Sequence, residues 1–419
     1  MIIRTLLAGA VALGSLRPSA SSAQALHARR WSDVALDDLH FIRAILRENH
    51  PGPLDSANPW FRDWFDRGFR EATALAARAE SYPGYYFSIQ YFMNGFQDGH
   101  LGALGDDRLS EPKLSRRWPG FLVRLEGDAF VVFNPAGTAP AVPSGSRLVE
   151  CDGRTADALA ADILGTYIGL WSVRGVRARL APYLLIDEGN PFAGRAARCT
   201  FDVGGRSTTV DLTWAPVANQ ALASWLRVMD QPPSQPIGLR AFGARRYWIS
   251  LPSFAGGDSA TVAALLRVRD EIAAKADDLR AADLIVFDVR GNGGGNSQFG
   301  DEIAAALWGG GFIDAVRPRA AAVDWRVSAG NARFLRSVNL QRLEEQFGPG
   351  TSASTPLSWR AWIRRSAAAR RSCVKRAAWS GLPRRRPRTR SAHARSCSRT
   401  TTASVPASIS PTSCSPSTV

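Results

Sequence analysis

The chain of 419 residues predicts a multi-domain α/β protein, and three changes of pattern along it indicate this class. Apolar residues recur at helical spacing in residues 26–110, which predicts a helical N-terminal domain. Short β-branched runs between glycine turns fill residues 115–215 and predict a β module. Residues 237–350 follow a strand–helix–strand order, which predicts a parallel β-α-β core. Residues 216–236 are predicted to link the last two domains.

The first 25 residues have the layout of a secretory signal peptide. Arg4 supplies a positive charge, an apolar stretch runs from Leu6 to Leu16, and Ala23-Gln24-Ala25 matches an A-x-A cleavage site. An ordinary apolar helix is the alternative. Cleavage after Ala25 predicts a mature chain in the periplasm or outside the cell. No later apolar run reaches the roughly 18 residues of a membrane span, so none is expected after cleavage.

The N-terminal domain is predicted to contain helices over residues 37–49, 60–79 and 85–95. The first ends at His50-Pro51, because a residue before proline disfavours helical backbone angles. The two later segments are rich in aromatic residues. Together they predict a core of packed rings.

The β module contains two hairpins and a capped helix. Glycine turns at Gly127 and at Gly204-Gly205 mark the hairpins, and Thr155 is placed to cap a helix that reaches Ile163. The hairpin strands are predicted at residues 121–125, 129–133, 199–203 and 207–212. This order is similar to a PDZ module, and that resemblance implies peptide capture by strand addition. A small β domain without a ligand is the alternative.

Cys151 and Cys199 are the only cysteines outside the last 69 residues, and both lie in the β module. Export permits a disulfide between them. Burial as two unpaired thiols fits the sequence equally well.

The β-α-β core begins with a strand around Trp248. An amphipathic helix over residues 259–279 and an apolar strand over residues 284–289 follow. This order predicts a parallel pair of strands with a right-handed crossover. The second strand runs into Arg290-Gly291-Asn292-Gly293-Gly294-Gly295, and Asn296 or Ser297 can cap the helix that comes next.

A glycine loop between a strand and a helix start places bare backbone N–H groups at the positive end of a helix dipole. Such a loop holds an anion, either a phosphate or the oxyanion formed in acyl transfer. No lysine lies in the loop, which excludes a P-loop. The pattern G-x-G-x-x-G counted from Gly291 fails at Asn296. Two interpretations of the loop therefore remain. It holds an oxyanion, or it is a turn that only connects the strand to the helix.

Three segments resemble the S41 serine peptidases, which include the C-terminal processing (tail-specific) and tricorn-like enzymes. Residues 287–295 resemble their DxRxNxGG loop, residues 95–101 contain an Asp-Gly-His segment, and residues 248–254 are similar to the strand that opens their catalytic domain. The segments cover residues 40–310 with gaps. The resemblance implies a ClpP/crotonase-like core, incomplete here, and hydrolysis of peptide bonds through an acyl-enzyme.

The resemblance also implies an oxyanion hole in the glycine loop. We predict that the backbone N–H groups of Gly294 and Gly295 form it. Asp288, Arg290 and Asn292 are predicted to hold the loop in shape rather than to do chemistry.

The catalytic base in this family is a lysine or a histidine. His100, in the Asp-Gly-His segment, is the candidate base, with a structural turn histidine as the alternative. His40 is expected to be structural, and His50 is expected to cap or shape a turn. None of the lysines is placed for chemistry; they are Lys113, Lys275 and Lys375.

The nucleophilic serine is not identified by the sequence. In the family it lies on a segment after the glycine loop. Ser297 is adjacent to the loop, and a helix N-cap explains it at least as well. No G-x-S-x-G elbow, H-E-x-x-H motif or paired-cysteine pattern occurs. We therefore expect no metal and no other cofactor.

The last 74 residues differ from the rest in charge. All 37 acidic residues lie at or before Glu345, whereas 14 of the 52 lysines and arginines follow it. Residues 351–419 are a basic Ser/Arg-rich tail, which we interpret as a frameshift product of a GC-rich gene. An inert tail and a nucleic-acid-binding tail are the alternatives. A shifted frame can encode a Ser-Ala segment, so the family's nucleophile is expected to be missing from the chain as written.

The predicted function is that of an exported serine-type endopeptidase, inactive as written, with a peptide or protein substrate. The alternative is a non-catalytic peptide-binding protein of the cell envelope on the same scaffold. Nucleic acid is not expected as a partner, because a nucleic-acid-binding tail fits poorly with export. The sequence carries no signal for an oligomeric state.

Overall fold

A computed structural model describes residues 4–5, 29–104, 114–138, 141–229, 235–317, 323–337 and 373–377. The chain divides into an N-terminal unit, Met1–Pro232, and a C-terminal unit, Pro233–Val419. The division falls inside the predicted linker. Most of the predicted signal peptide lies outside the described residues, but Arg4–Thr5 (β1) pairs antiparallel with Ala103–Leu104 (β2).

Three helices open the N-terminal unit and confirm the helical prediction for this region. They are α1 (Trp31–Asn49), α2 (Pro59–Ala76) and α3 (Tyr82–Asn94). The Asn58 side chain accepts the Phe61 N–H at the start of α2, and the Ser81 side chain accepts the Gly84 N–H at the start of α3. Helices α1 and α3 begin earlier than the sequence predicts, since each gains a first turn that the apolar pattern does not mark.

The core of these helices is built from stacked and edge-on aromatic rings. The indole N–H of Trp64 donates to the Phe92 carbonyl at 2.9 Å, which joins α2 to α3. A Cβ atom on Gly68 or Gly95 would overlap the Trp64 ring, so both positions require glycine. The close approach of the indole to two backbone segments therefore depends on missing side chains.

The β module contains an antiparallel sheet of six strands and a separate antiparallel pair of short strands. Both predicted hairpins are confirmed, as is the Thr155 cap, whose hydroxyl accepts the Ala158 N–H at 3.2 Å. In the larger sheet the order is β4 (Leu122–Glu126), β5 (Ala129–Phe133), β6 (Arg147–Cys151), β8 (Arg198–Val203) and β9 (Arg206–Asp211), and β7 (Arg154–Thr155) pairs with β6. In the separate pair, β3 (Arg117–Trp118) lies antiparallel to β10 (Ala215–Pro216). Short helices between β7 and β8 are α4 (Ala156–Ala160) and α5 (Arg174–Leu180), with a π-helical turn at Ala161–Gly165.

Cys151 and Cys199 form a disulfide between directly opposed residues of β6 and β8. Both residues are buried in the core of the module. The pairing, which the sequence left open, clamps the two central strands. A disulfide of this kind is typical of an oxidising compartment.

Part of the predicted linker is helical, which corrects the sequence interpretation. Residues Asn219–Met229 form α6, and its apolar face packs on β3, where Trp225 stacks on Trp118 at 4.5 Å. Leu222 and Met229 are buried in the same cluster. The segment is helical because its apolar residues find a surface to cover, which linker composition alone does not reveal.

The C-terminal unit contains a three-stranded sheet with order β11-β12-β13, formed by β11 (Gly238–Ala241), β12 (Arg246–Ser250) and β13 (Leu284–Asp288). Strands β12 and β13 are parallel, which confirms the predicted pair, and Trp248 lies opposite Val286. The connecting helix is divided at Lys275 into α7 (Ser259–Ala274) and α8 (Ala276–Arg280). Helix α9 (Gln298–Trp308) joins α7 in covering one face of the sheet.

The remaining described elements of this unit are α10 (Gly310–Val316), β14 (Val323–Val327), α11 (Ala329–Ser337) and β15 (Cys373–Ala377). Strand β15 is the only described part of the basic tail, and it pairs antiparallel with β14. The two units together make a mixed helical and β-sheet protein. None of the helices in the described ranges is long and apolar enough to cross a membrane.

Candidate active site

The glycine loop lies between the carboxyl end of β13 and the start of α9. Gly291, Gly294 and Gly295 have φ angles of 77°, 96° and 129°. Residues with a Cβ atom rarely adopt these angles. The three glycines therefore allow a path that ordinary residues would resist.

The first turn of the loop is held by an ion pair between Asp288 and Arg290. The Asp288 carboxylate is buried, and it accepts hydrogen bonds from the Arg290 backbone N–H at 3.1 Å and from its guanidinium at 2.8 and 2.7 Å. The Arg290 guanidinium lowers the pKa of Asp288 to about 2. The carboxylate is thus committed to holding the backbone of the loop.

Asn292 ties the middle of the loop to the residue that follows β12. Its side-chain N–H donates to the Leu251 carbonyl at 2.8 Å, and its side-chain oxygen accepts the Gly294 N–H at 2.8 Å. The Gly294 amide, one of the two predicted oxyanion donors, is therefore occupied. It could serve an oxyanion only after the bond to Asn292 breaks.

Gly295 lies beside Phe254 in a parallel β-bridge. The Phe254 N–H donates to the Gly294 carbonyl at 3.3 Å, and the Asn296 N–H donates to the Phe254 carbonyl at 2.9 Å. Because both partners of Phe254 flank Gly295, the N–H of Gly295 itself points to the opposite side. That N–H has no hydrogen bond to any residue the structure describes. A Cβ atom on Gly295 would overlap the Phe254 carbonyl, so this approach requires glycine.

The start of α9 is capped by Asn296 and not by Ser297. The Asn296 side chain accepts the Gln298 N–H at 3.0 Å, whereas the Ser297 side chain makes no capping hydrogen bond. The sequence left both residues open. The structure decides for Asn296, which leaves the exposed Ser297 hydroxyl without the capping role proposed for it.

His100 lies in the N-terminal unit, in a turn closed by the bond from the Leu101 N–H to the Asp98 carbonyl at 3.1 Å. Its side chain is 79% exposed. The Asp98 carboxylate accepts the His100 backbone N–H at 2.9 Å, and the same oxygen lies 3.9 Å from Nδ1 of the ring. A carboxylate on the Nδ1 side favours a proton on Nδ1, which leaves Nε2 with a lone pair.

His50 is a second histidine at the same carboxylate, and the sequence assigned it only a turn role. Its Nδ1 does accept the Gly52 N–H at 3.0 Å, as that role predicts, but Nε2 lies 3.9 Å from Asp98. No local signal joins His50 to Asp98, because the two residues lie in different turns. A polar depression of about 340 Å³ is lined by both residues and by Asp55, Asn58 and Gln97.

The other basic candidates lie elsewhere. His40 packs edge-on against Phe69 at 5.1 Å, and Lys275 is exposed at the division between α7 and α8. Lys113 lies outside the described residues, and Lys375 belongs to β15. Within the described ranges, no group of three or more metal-ligating side chains occurs.

Comparison with known protein families and with curated proteins finds no match to this chain. Among solved structures, mature CPAF, a chlamydial protease, is similar over 62% of this chain and 56% of its own, at 13% identity and a TM-score of 0.41. Mature CPAF complexed with lactacystin is similar over 75% and 65%, at 14% identity and a TM-score of 0.45. The chain spans less than two thirds of the length of these structures.

Proposed function

We propose that this protein is an exported serine peptidase of the S41 type, which hydrolyses peptide bonds through an acyl-enzyme. The observation that carries the proposal is the Gly295 amide. Its N–H has no hydrogen bond to any residue that the structure describes, and it lies in a glycine loop between a parallel strand and a helix start. Such a donor suits the oxyanion of a tetrahedral intermediate.

The loop is built to hold that amide in one position. Asp288, Arg290 and Asn292 fix the backbone before it, and the Phe254 bridge fixes the backbone beside it. A preorganised donor costs no reorganisation when charge develops on the substrate oxygen. In proteases of known mechanism, removal of one such donor raises the activation free energy of acyl transfer by about 3–4 kcal/mol.

His100 is the base in this proposal. Its Nε2 takes the proton as a serine oxygen attacks the scissile carbonyl, and it returns the proton to the leaving amine. Asp98 on the Nδ1 side supports this role, because it favours the tautomer with a free Nε2. Proximity of a carboxylate to one ring nitrogen is the arrangement that orients a base in hydrolytic triads.

Export is part of the proposal and is supported by two features. The first 25 residues have signal-peptide layout, and the β module contains the Cys151–Cys199 disulfide. A chain of this kind would be cleaved after Ala25 and act in the periplasm or outside the cell. Its substrate class is a peptide or protein.

The nucleophile is proposed to lie in a reading frame lost after Glu345. Resequencing the gene across the codons for residues 345–419 tests this directly. We expect an inserted or missing base whose correction restores acidic residues and a Ser-Ala segment. The restored protein should then be labelled at that serine by a fluorophosphonate probe, and mass spectrometry identifies the residue.

A matched pair of variants tests the base. His100→Gln should abolish most of the labelling of the restored protein, whereas His40→Gln, on the exposed side of α1, should leave it unchanged. Equal labelling of both variants would reject His100. A gene that stands as written, with no labelling of the chain, would reject the peptidase.

The second candidate is a peptide-binding protein without catalysis. The bond between the Gly294 amide and Asn292 favours it, because that bond closes one of the two predicted oxyanion donors. Peptide binding measured by calorimetry, together with absent labelling, would decide for this candidate.

A further inference from the structure

One carboxylate in the N-terminal unit lies between two imidazoles. Oδ2 of Asp98 is 3.9 Å from Nε2 of His50, and Oδ1 is 3.9 Å from Nδ1 of His100. These separations are longer than hydrogen bonds, so each neutral ring acts on the carboxylate charge through the dipole of its N–H group. The two histidines differ in environment, because His50 has 12% of its side chain exposed and His100 has 79%.

His50 is held rigidly on the buried side of this arrangement. Its ring stacks on Phe61 with centroids 4.6 Å apart and planes 2° from parallel. Its Nδ1 accepts the Gly52 N–H, so the neutral ring carries its proton on Nε2, the nitrogen that faces Asp98. Burial lowers the pKa of His50, which keeps the ring neutral.

The other side of Asp98 holds His100. Its Oδ1 accepts the His100 backbone N–H at 2.9 Å, in a turn that follows a strained Gln97 with φ of 54°. The Gln97 side chain donates to the Asn94 carbonyl at 3.0 Å and anchors the turn to the end of α3. The orientation of one carboxylate therefore determines both the backbone and the ring environment of His100.

We infer that His50 is a positioning residue, which orients Asp98 through Nε2–H and thereby sets the tautomer of His100. This inference rests on the proposed role of His100 as the base. His50 does not touch a substrate in it. Its contribution is to keep Asp98 turned so that His100 carries its proton on Nδ1.

Two amide substitutions separate the two nitrogens of His50. Asn places an acceptor near the position of Nδ1, and Gln places a donor near the position of Nε2. His50→Gln can keep the donor that faces Asp98 and lose the acceptor for Gly52. His50→Asn can keep the acceptor and lose the donor. If His50 only shapes its turn, His50→Asn is the better tolerated variant.

The experiment is long-range proton–nitrogen NMR on the full chain labelled at histidine, at about pH 8 where free imidazole is neutral. We expect His50 with its proton on Nε2 and His100 with its proton on Nδ1. His50→Gln should keep the His100 tautomer, and His50→Asn should convert His100 to a mixture. His40→Asn is the control and should change neither, while far-UV circular dichroism confirms that each variant is folded.

Retention of the His100 tautomer in His50→Asn would overturn the inference, as would a proton on Nδ1 of His50. Loss of that tautomer in Asp98→Asn, together with its retention in both His50 variants, would show that Asp98 acts without His50. Failure of the peptidase proposal is distinguishable from failure of this inference. The first appears as absent fluorophosphonate labelling, which does not affect the tautomer measurement. Labelling of the restored protein that is equal in His50→Asn and His50→Gln would reject the inference while keeping the peptidase.

Discussion

The glycine loop of the C-terminal unit and the Asp98 turn of the N-terminal unit are held in different ways. The glycine loop is shaped by its own residues and by the strand beside it, through Asp288–Arg290, Asn292–Leu251 and Phe254–Gly295. The Asp98 turn lies beside His50, in the turn after α1, and His50 stacks on Phe61 of α2. The glycine loop is held mainly by hydrogen bonds to its backbone, and the Asp98 turn is held mainly by side chains packed in the core.

This difference determines what each loop tolerates. A Cβ atom at the wrong glycine changes the backbone path of the first loop, whereas removal of a distant aromatic ring undermines the second. The glycine loop also holds its charge within a tight Asp288–Arg290 pair. The Asp98 turn places its carboxylate beside His50, a largely buried histidine that stays neutral. The two loops should therefore respond to different substitutions and in different pH ranges.

The largest effect is expected at Phe61. Phe61→Ala removes the ring that stacks on His50 and contacts Phe96, and it should cost about 3–5 kcal/mol in the free energy of unfolding of the N-terminal unit. Urea denaturation followed by fluorescence measures this cost. Phe41→Ala, at a side chain that is 54% exposed, is the control and should stay within about 0.5 kcal/mol. Equal costs for the two variants would contradict the dependence of the turn on core packing.

Alanine substitution at three neighbouring glycines of the glycine loop should affect its stability to different extents. Gly293→Ala meets open space at a φ outside the left-handed region and should change the free energy of unfolding by less than about 1 kcal/mol. Gly294→Ala meets open space at φ 96° and should cost about 1–2 kcal/mol. Gly295→Ala adds overlap with the Phe254 carbonyl and should cost about 3 kcal/mol or more. The two hydrogen bonds of the Phe254–Gly295 bridge are donated by the amides of Phe254 and Asn296, so the hydrogen-exchange rates of these amides measure whether the bridge is intact. Unchanged exchange rates in Gly295→Ala would refute this order.

The two loops should lose stability in different pH ranges. The folded pKa of His50 is lowered by burial, so the unfolded chain binds a proton first, and the N-terminal unit should weaken as pH falls below about 6.5. The folded pKa of Asp288 is also lowered, so its contribution is present above about pH 4 and is lost as pH falls towards about 2. Hydrogen exchange with mass spectrometry between pH 8 and pH 2 measures the loss of stability of the two units separately.

Single substitutions identify the source of each response. His50→Gln should flatten the response of the N-terminal unit between pH 7 and 5. Asp288→Asn should flatten that of the glycine loop below about pH 4. A response that both variants share would show that neither group is its source.

The smallest effects are expected at Asn296 and Ser297, the two candidates for the cap of α9. Asn296→Ala removes the acceptor for the Gln298 N–H and should cost about 1 kcal/mol in the stability of α9. Ser297→Ala removes a hydroxyl that makes no capping bond and should cost about 0.3 kcal/mol or less. Thermal unfolding of the two variants measures both costs. The reverse order would restore Ser297 as the cap.

Local patterns were sufficient to predict most of the elements. The hairpins at Gly127 and Gly204-Gly205, the Thr155 cap and the parallel β12–β13 pair depend on short-range rules of turns, caps and connections. The helical interpretation failed where packing outweighs composition. Helix α6 forms in a segment rich in linker residues because Trp225 and its neighbours cover β3.

In the candidate site too, some features could be predicted from short-range sequence patterns and others could not. The residues that shape the glycine loop are close in sequence, so their roles could be proposed from the motif alone. The sequence could not show that Asn292 occupies the Gly294 amide, because a side-chain acceptor within the loop competes with any bound oxyanion only once the backbone is folded. It also could not choose between Asn296 and Ser297, since both are good capping residues.

The sequence by itself determined the strand–glycine–helix arrangement, because conformational freedom at glycine is a property of single residues. Tertiary structure alone decided that Cys151 pairs with Cys199, that Phe254 meets Gly295, and that His50 faces Asp98. Each of these contacts joins residues far apart in the chain. Their geometry comes from strand register and core packing, which no short-range pattern encodes.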